Sequence, residues 1–262
     1  MKIGFIGAGN MGGAIIGGIV RGDIEAEILV FDKNPEMLLK LSKEFGVKKA
    51  VDNKEIAKNA DIIFLAVKPN VISFVIDEIK DEIRKDTLIV SIVAGKNIET
   101  IETAFGKAVK LIRVMPNTPA LVGEGMSALC KNENVEKEEL ENILEIFRKL
   151  GCAEVVAEGM MDAVTAVSGS SPAYVFMLIE AMADAAVLGG LPRNQAYTFA
   201  SQAVLGAAKM VLETKKHPGE LKDMVCSPSG TTIEAVKILE QSGFRSAIID
   251  AMGACIEKSK NM

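Results

Sequence analysis

The stretch "KIGFIGAGNMGGAIIGGIVRG", Lys2 to Gly22, decides the fold of the first half of this chain. Its opening residues, Lys2 to Ile6, are a mostly apolar run of strand length. Gly7, Gly9 and Gly12 follow in GxGxxG spacing, and an amphipathic run then continues as a helix. The three glycines serve different ends. Gly7 permits a tight turn, Gly9 a close backbone approach, and Gly12 close helix–sheet packing. The helix start would hold a pyrophosphate, because its first N–H groups are unpaired and the helix dipole favours an anion there. The motif alone is common. Its place between a strand and a helix gives it weight.

Outward from that stretch the alternation continues. "EILVF" (27–31), "DIIFLAV" (61–67), "TLIVSIV" (87–93), "AVKLIRVM" (108–115), "MSALC" (126–130) and "AEVV" (153–156) read as strands. "PEMLLKLSKEF" (35–45), "VISFVIDEIK" (71–80) and "EKEELENILEIFRKL" (136–150) read as helices between them. Such alternation predicts an α/β domain, a Rossmann-like, doubly wound parallel sheet, with ligands bound beyond the carboxyl ends of its strands. From about Met160 the pattern is helical only. "PAYVFMLIEAMADAAVLGG" (172–190) and "RNQAYTFASQAVLGAAKMVLET" (193–214) are apolar on more than one face, which suits burial against a second subunit. The expected division is a dinucleotide-binding domain over 1–157 and an all-helical dimerisation and substrate domain over 158–262.

Bulk properties narrow the function. With 262 residues the chain can bury a real core, and a net charge of −5 offers no footprint for nucleic acid or an anionic membrane. No uninterrupted apolar run reaches membrane-helix length, and with a strand starting at Lys2 no signal peptide is expected. Cys130, Cys152, Cys226 and Cys255 are far apart, which favours reduced thiols over a disulfide frame or a metal site. A cytoplasmic protein without bound metal is the expectation.

Four strand-end or loop segments carry the chemistry. Asp32, at the end of the second strand, stands where an acidic residue would bond an adenosine ribose. Lys33 beside it could instead meet a 2′-phosphate, so NADH and NADPH both stay open. "AVKP" places Ala66, Val67 and Lys68 at the end of the next strand. "MPNTP" (115–119) sets Asn117 in a rigid turn, either bonding a substrate or closing a structural Asx turn. Near the C-terminus, "CSPSGTTIEAV" (226–236) puts small hydroxyl residues directly before an apolar helix pattern.

The segments "FIGAGNMG", "FLAVKP", "RVMPNTPALVGEG", "AVSGSSPAYVF", "HPGELKD" and "SPSGTTIEAV…LEQSGFRSAI" together resemble the pyrroline-5-carboxylate reductase family. They run in family order from residue 5 to about 250. The resemblance implies reduction of the C=N bond of 1-pyrroline-5-carboxylate to L-proline by NADPH or NADH. It also implies an interlocked homodimer, often assembled into a larger ring. Carried over by position, the cofactor residues are Gly7, Ala8, Gly9, Asn10, Met11, Gly12, Asn34, Asn53, Ala66, Val67, Lys68 and Ala94. The substrate residues are Ser227, Gly230, Thr231 and Thr232, with Thr232 and Asn117 taken as catalytic. The family loop usually reads SPGGTT, and Ser229 replaces its first glycine. That exchange is expected to be harmless unless the position requires positive φ.

The hydroxyls suit that chemistry. Free N–H groups at a helix start near Gly230 can seat a carboxylate, with Ser227 adding a donor. An imine nitrogen is basic enough to take its proton from water, so Thr232 need only orient it. His217 is expected to have a structural or surface role. Two rivals remain at this level. A 3-hydroxyacid dehydrogenase would want a lysine within 166–185, and there is none. A non-catalytic dinucleotide sensor would have no use for the hydroxyl loop.

Overall fold

The computed structural model describes residues 1–261. The chain divides into two compact units: Met1–Ser170 joined by the residues from Cys255 on, and Ser171–Ala254.

The first unit is built on an eight-stranded sheet. Its strands are β1 (Lys2–Ile6), β2 (Glu27–Phe31), β3 (Lys48–Lys49), β4 (Ile62–Leu65), β5 (Leu88–Ser91), β6 (Lys110–Met115), β7 (Gly125–Lys131) and β8 (Gly151–Val155). Their spatial order is β3-β2-β1-β4-β5-β6-β7-β8. The order reverses at β1, between β2 and β4, which makes the carboxyl edge there the place where a crevice opens. The pairing is parallel except between β6 and β7, which run antiparallel. The short loop 116–124 can join them only in that sense, since a parallel return needs a long crossover.

Side chains alternate between two cores because strand periodicity is two. On β4, Ile62 and Phe64 face one core while Ile63 and Leu65 face the other. Helices α1 (Asn10–Arg21), α2 (Pro35–Phe45) and α6 (Lys137–Arg148) cover the first core, where Phe5 and Phe64 stack at 4.6 Å. Helices α3 (Asn53–Asn59), α4 (Ile72–Ile79) and α5 (Ile98–Phe105) cover the second with Ile56, Ile76, Ile79 and Ile101. Each such fully buried side chain contributes about 1.5–3 kcal/mol. Strand β3 and helices α3 and α5 were not anticipated from the apolar pattern, being too short to show a period. Their capping residues were legible: Asp52 accepts the Glu55 N–H, and Asn97 accepts the Thr100 N–H.

After α7 (Met161–Val164), the second unit holds α8 (Ser171–Leu188), α9 (Arg193–Thr214), α10 (Pro218–Val225) and α11 (Thr231–Gln241), and α12 (Phe244–Lys260) begins in it. His217 caps α10 by accepting the Gly219 N–H at Nδ1, the structural one of the two roles expected of it. Phe176, Met177, Leu188 and Phe199 are exposed in the single chain, Leu188 at 90%. Among the described residues one helical run, Glu158–Leu188, is long and apolar enough to cross a membrane by length and composition. The expectation concerned uninterrupted runs and stands, since Glu180 and Asp184 interrupt this one. These isolated acids break the run without lowering its mean hydropathy far.

Candidate functional site

The crevice at the sheet's reversal is a cleft of about 540 Å³. Gly7, Gly9, Asp32, Asn53, Val67 and Lys68 line it, with Ile6, Phe31, Lys33, Ala66 and the α4 face of Val71, Phe74, Val75 and Glu78. Six of the sequence-predicted cofactor residues therefore share one cavity: Gly7, Gly9, Asn53, Ala66, Val67 and Lys68.

Backbone geometry explains the glycines. Gly7 has φ +100, and a Cβ there would meet the Ala66 carbonyl oxygen at 2.5 Å. A Cβ on Gly12 would lie 2.7 Å from the Gly7 carbonyl oxygen. Gly9 differs, because a Cβ there would meet nothing within 4 Å. Its bareness leaves room beside the loop rather than relieving a clash. Gly9 is also the N-cap of α1 and offers no side-chain cap, and the first turn carries no acid. The Asn10, Met11 and Gly12 N–H groups precede the first helical bond, Gly13 N–H to Gly9 carbonyl, so helix geometry leaves them free for an anion.

The remaining predicted residues have other surroundings. Ala8 is buried, and its N–H donates to Asp32 Oδ2 at 2.6 Å. Asn34 caps α2 by accepting the Glu36 N–H. Ala94 lies in the turn after β5, half-buried and outside the cleft lining. The end of that turn is held by Glu158, whose Oε1 accepts the Ile98 N–H at 2.7 Å and Arg113 Nη1 at 3.0 Å.

Asn53 is 4% exposed. Its Nδ2 donates to Glu78 Oε2 at 2.8 Å, while its Oδ1 is buried without a hydrogen-bond partner. An orphaned buried amide oxygen costs about 1–3 kcal/mol, so a donor arriving with a ligand would recover that energy. The glycine loop with its bare helix start, an apolar wall and an unmet acceptor together fit a dinucleotide. Asn10, Met11 and Gly12 would take its phosphates, and the α4 face with Asn53 its adenosine end. Phe74 and Glu78 were not singled out from the sequence. Their signal was the (i, i+4) spacing on α4, which reads equally as a solvated face.

Asn117 needs correction as a reacting group. Its side chain is buried, with Nδ2 donating to the Ser168 carbonyl at 3.0 Å and Oδ1 accepting the Met126 N–H at 2.9 Å. Both ends of the amide are engaged in joining the β6–β7 turn to the segment before α8. The role observed is structural, but it is a long-range tie to Met126 and Ser168 and not the Asx turn.

In the second unit, α11 begins at Thr231 with Gly230 as N-cap and no side-chain cap hydrogen bond. Ser227 Oγ would lie 2.3 Å from a Cβ at Gly230, so only glycine fits against that hydroxyl. Ser227 and Thr231 are exposed, and Thr232 is half-buried. Ser229 has φ +56, the left-handed region. The position does require positive φ, so serine in place of the family glycine carries backbone strain of about 1–2 kcal/mol. Among the described residues no cluster of three or more His, Cys, Asp or Glu could hold a metal.

Comparison with known proteins follows this geometry closely. Residues 158–262 match the family model for pyrroline-5-carboxylate reductase dimerisation. Residues 2–95 match one for coenzyme F420-dependent NADP oxidoreductase. A pyrroline-5-carboxylate reductase of Escherichia coli strain K12 is 55% identical over 100% of this chain and 98% of its own length. The chain belongs to the pyrroline-5-carboxylate reductase family. Its reductase relative in Methanosarcina acetivorans is 46% identical over 100% of this chain and 97% of its own. A crystal structure of the Plasmodium falciparum pyrroline carboxylate reductase with NADP bound superposes with a TM-score of 0.91. It is 35% identical and covers 100% of this chain and 97% of the relative. As a reductase of this family the chain is an NAD(P)H-dependent oxidoreductase with a small-molecule substrate and an oligomeric helical domain.

Proposed function

We propose that this chain reduces 1-pyrroline-5-carboxylate to L-proline, the closing step of proline synthesis. The observation that carries the reading is the uncapped start of α11 with Ser227, Thr231 and Thr232 around it. Such a start seats a carboxylate, and the hydroxyls supply neutral hydrogen bonds where an imine needs no strong acid.

The reduced nicotinamide supplies the hydride when the dinucleotide is bound. The chain's own residues bind and orient. Free N–H groups of Asn10, Met11 and Gly12 hold the pyrophosphate, and Gly7, Ala8, Gly9, Asn34, Asn53, Ala66, Val67, Lys68 and Ala94 shape the rest of the dinucleotide site. The N–H groups of Thr231 and Thr232, helped by Ser227, hold the substrate carboxylate. Gly230 lets Ser227 come close. The Thr232 hydroxyl bonds the ring nitrogen and steers the protonated imine toward the hydride. Asn117 acts by positioning, through its two bonds to Ser168 and Met126. Most of the rate comes from holding the ring carbon and hydride donor together.

Residues 1–157 serve the dinucleotide, and 158–262 serve dimerisation and substrate. The exposed apolar faces of α8 and α9 meet a partner subunit rather than a membrane. Dimers assemble further into a ring in the cytoplasm. Loss of NADH or NADPH absorbance with pyrroline-5-carboxylate, and none with 3-hydroxyacids, is the expected result. No turnover of the imine overturns the reading. Light scattering that finds only monomer or only dimer removes the ring.

A further inference from the structure

Asp32 follows β2 directly and lines the cleft with Gly7 and Gly9. Its carboxylate is held from two sides. Oδ2 accepts the Ala8 N–H at 2.6 Å, and Oδ1 accepts the Asn34 N–H at 2.8 Å. One donor comes from the glycine loop and the other from the start of α2, so the plane and position of the carboxylate are set by backbone. A carboxylate accepts about four hydrogen bonds, which leaves two places on Asp32 for further donors.

We propose that Asp32 makes this reductase select NADH over NADPH. The inference rests on the dinucleotide-dependent reading above and concerns which dinucleotide that site prefers. A ribose carrying free 2′- and 3′-hydroxyls brings two O–H donors, matching the two acceptor places left. A 2′-phosphate replaces one donor with a group that is largely dianionic at neutral pH, set beside a fixed negative charge. Like charges a few ångströms apart repel strongly at the effective dielectric of a partly buried site.

Among the described residues of the cleft lining, Lys33 is the cation next to Asp32 in sequence, where it could favour the phosphate. It is exposed, whereas Asp32 is pinned by two N–H groups. Reaching inward would immobilise a long, freely rotating side chain. Lys68 lines the same cleft beyond β4, after Ala66 and Val67, which pack against Gly7 of the glycine loop, so we assign it to the phosphates that both dinucleotides share. The pinned charge therefore outweighs the mobile one. NADPH remains a usable but weaker donor.

Fluorescence titration of the full-length protein with NADH and with NADPH tests this directly. Wild type should bind NADH tighter by about tenfold or more, the factor expected from one such unfavourable charge pair. Asp32→Asn keeps an oxygen for the Ala8 N–H and removes the charge, so the preference should fall to about twofold or reverse. Competition by ADP-ribose against its 2′-phosphorylated form repeats the test on wild type alone, should the variant fold poorly. Tighter binding of NADPH by wild type, or an unchanged ratio in Asp32→Asn, overturns the inference. Faster imine turnover with NADPH than with NADH overturns it while leaving the reductase reading intact. Binding of neither dinucleotide removes both.

Discussion

Asn53 gives its Nδ2 hydrogen to Glu78 Oε2 at 2.8 Å, and its own Oδ1 is left buried with no partner. The carboxylate at position 78 thereby decides which end of the amide is spoken for. An amide that could flip would present either a donor or an acceptor, and Glu78 removes the choice. The pair ties the first residue of one helix to the exposed face of another, and it sets up the first prediction.

Replacing Glu78 with alanine should free the Asn53 amide and weaken dinucleotide binding, with KM for the dinucleotide rising several-fold and kcat little changed. Stability should fall by about 1 kcal/mol, the value of a hydrogen bond to a charged group discounted for the exposure of Glu78. Steady-state kinetics and urea denaturation measure both. A Glu78→Gln variant, which keeps an acceptor, should recover most of the loss. Equal damage by alanine and glutamine would remove the assigned role.

Ser229 holds φ +56 in the loop before α11. Glycine adopts that conformation without strain, although it also raises the entropy of the unfolded chain. Ser229→Gly should therefore stabilise the protein by about 0.5–1 kcal/mol net, the left-handed strain minus the entropy term. The thermal midpoint is the readout. A lower midpoint in the variant would mean that the serine hydroxyl compensates for its backbone.

Gly12→Ala should be severe for a packing reason. The added carbon would stand 2.7 Å from the Gly7 carbonyl oxygen, and backbone cannot move aside as a flexible side chain could. Overpacking of this kind costs about 1–3 kcal/mol. The turn at Gly7 should shift with it, and NADH fluorescence enhancement should be lost. Gly9→Ala should fold normally, because its added carbon meets nothing within 4 Å, yet it should also bind dinucleotide poorly. Tight binding by Gly9→Ala would show that the open space beside Gly9 is not the phosphate approach.

Thr232→Ala tests the hydroxyl assigned to the ring nitrogen. Loss of one hydrogen bond in the transition state should lower kcat about tenfold to a hundredfold. Thr232→Ser should keep most of the rate. Unchanged turnover in Thr232→Ala would leave the nitrogen to water.

Cysteine reactivity should sort by burial. Desolvation, and then the nearby Glu158 charge, push the Cys130 thiol up to about 11, so little thiolate exists at neutral pH. Cys152 is exposed on β8. Iodoacetamide followed by mass spectrometry should modify Cys152 in the native protein and Cys130 only after unfolding. The sign follows from burial, since thiolate is the nucleophile and a raised value depletes it. Early labelling of Cys130 would contradict its place in the core.

Much of this protein was determined by the sequence itself, wherever local spacing dictates local geometry. The apolar runs and GxGxxG glycines specify strand, turn and helix through φ, sterics and periodicity, which act over a few residues. The gathering of Gly7, Gly9, Asn53, Ala66, Val67 and Lys68 into one crevice followed from that alternation and the family motifs. Tertiary structure alone decided what those residues do there. Asp32 is bonded to Ala8 across 24 residues and Asn53 to Glu78 across 25, and no local pattern encodes such pairs. Asn117 was open between two roles until its partners, Met126 and Ser168, came into place. Ser229 is the sharpest case. Its identity permits many backbone angles, and only the path of the loop into α11 forces it to positive φ.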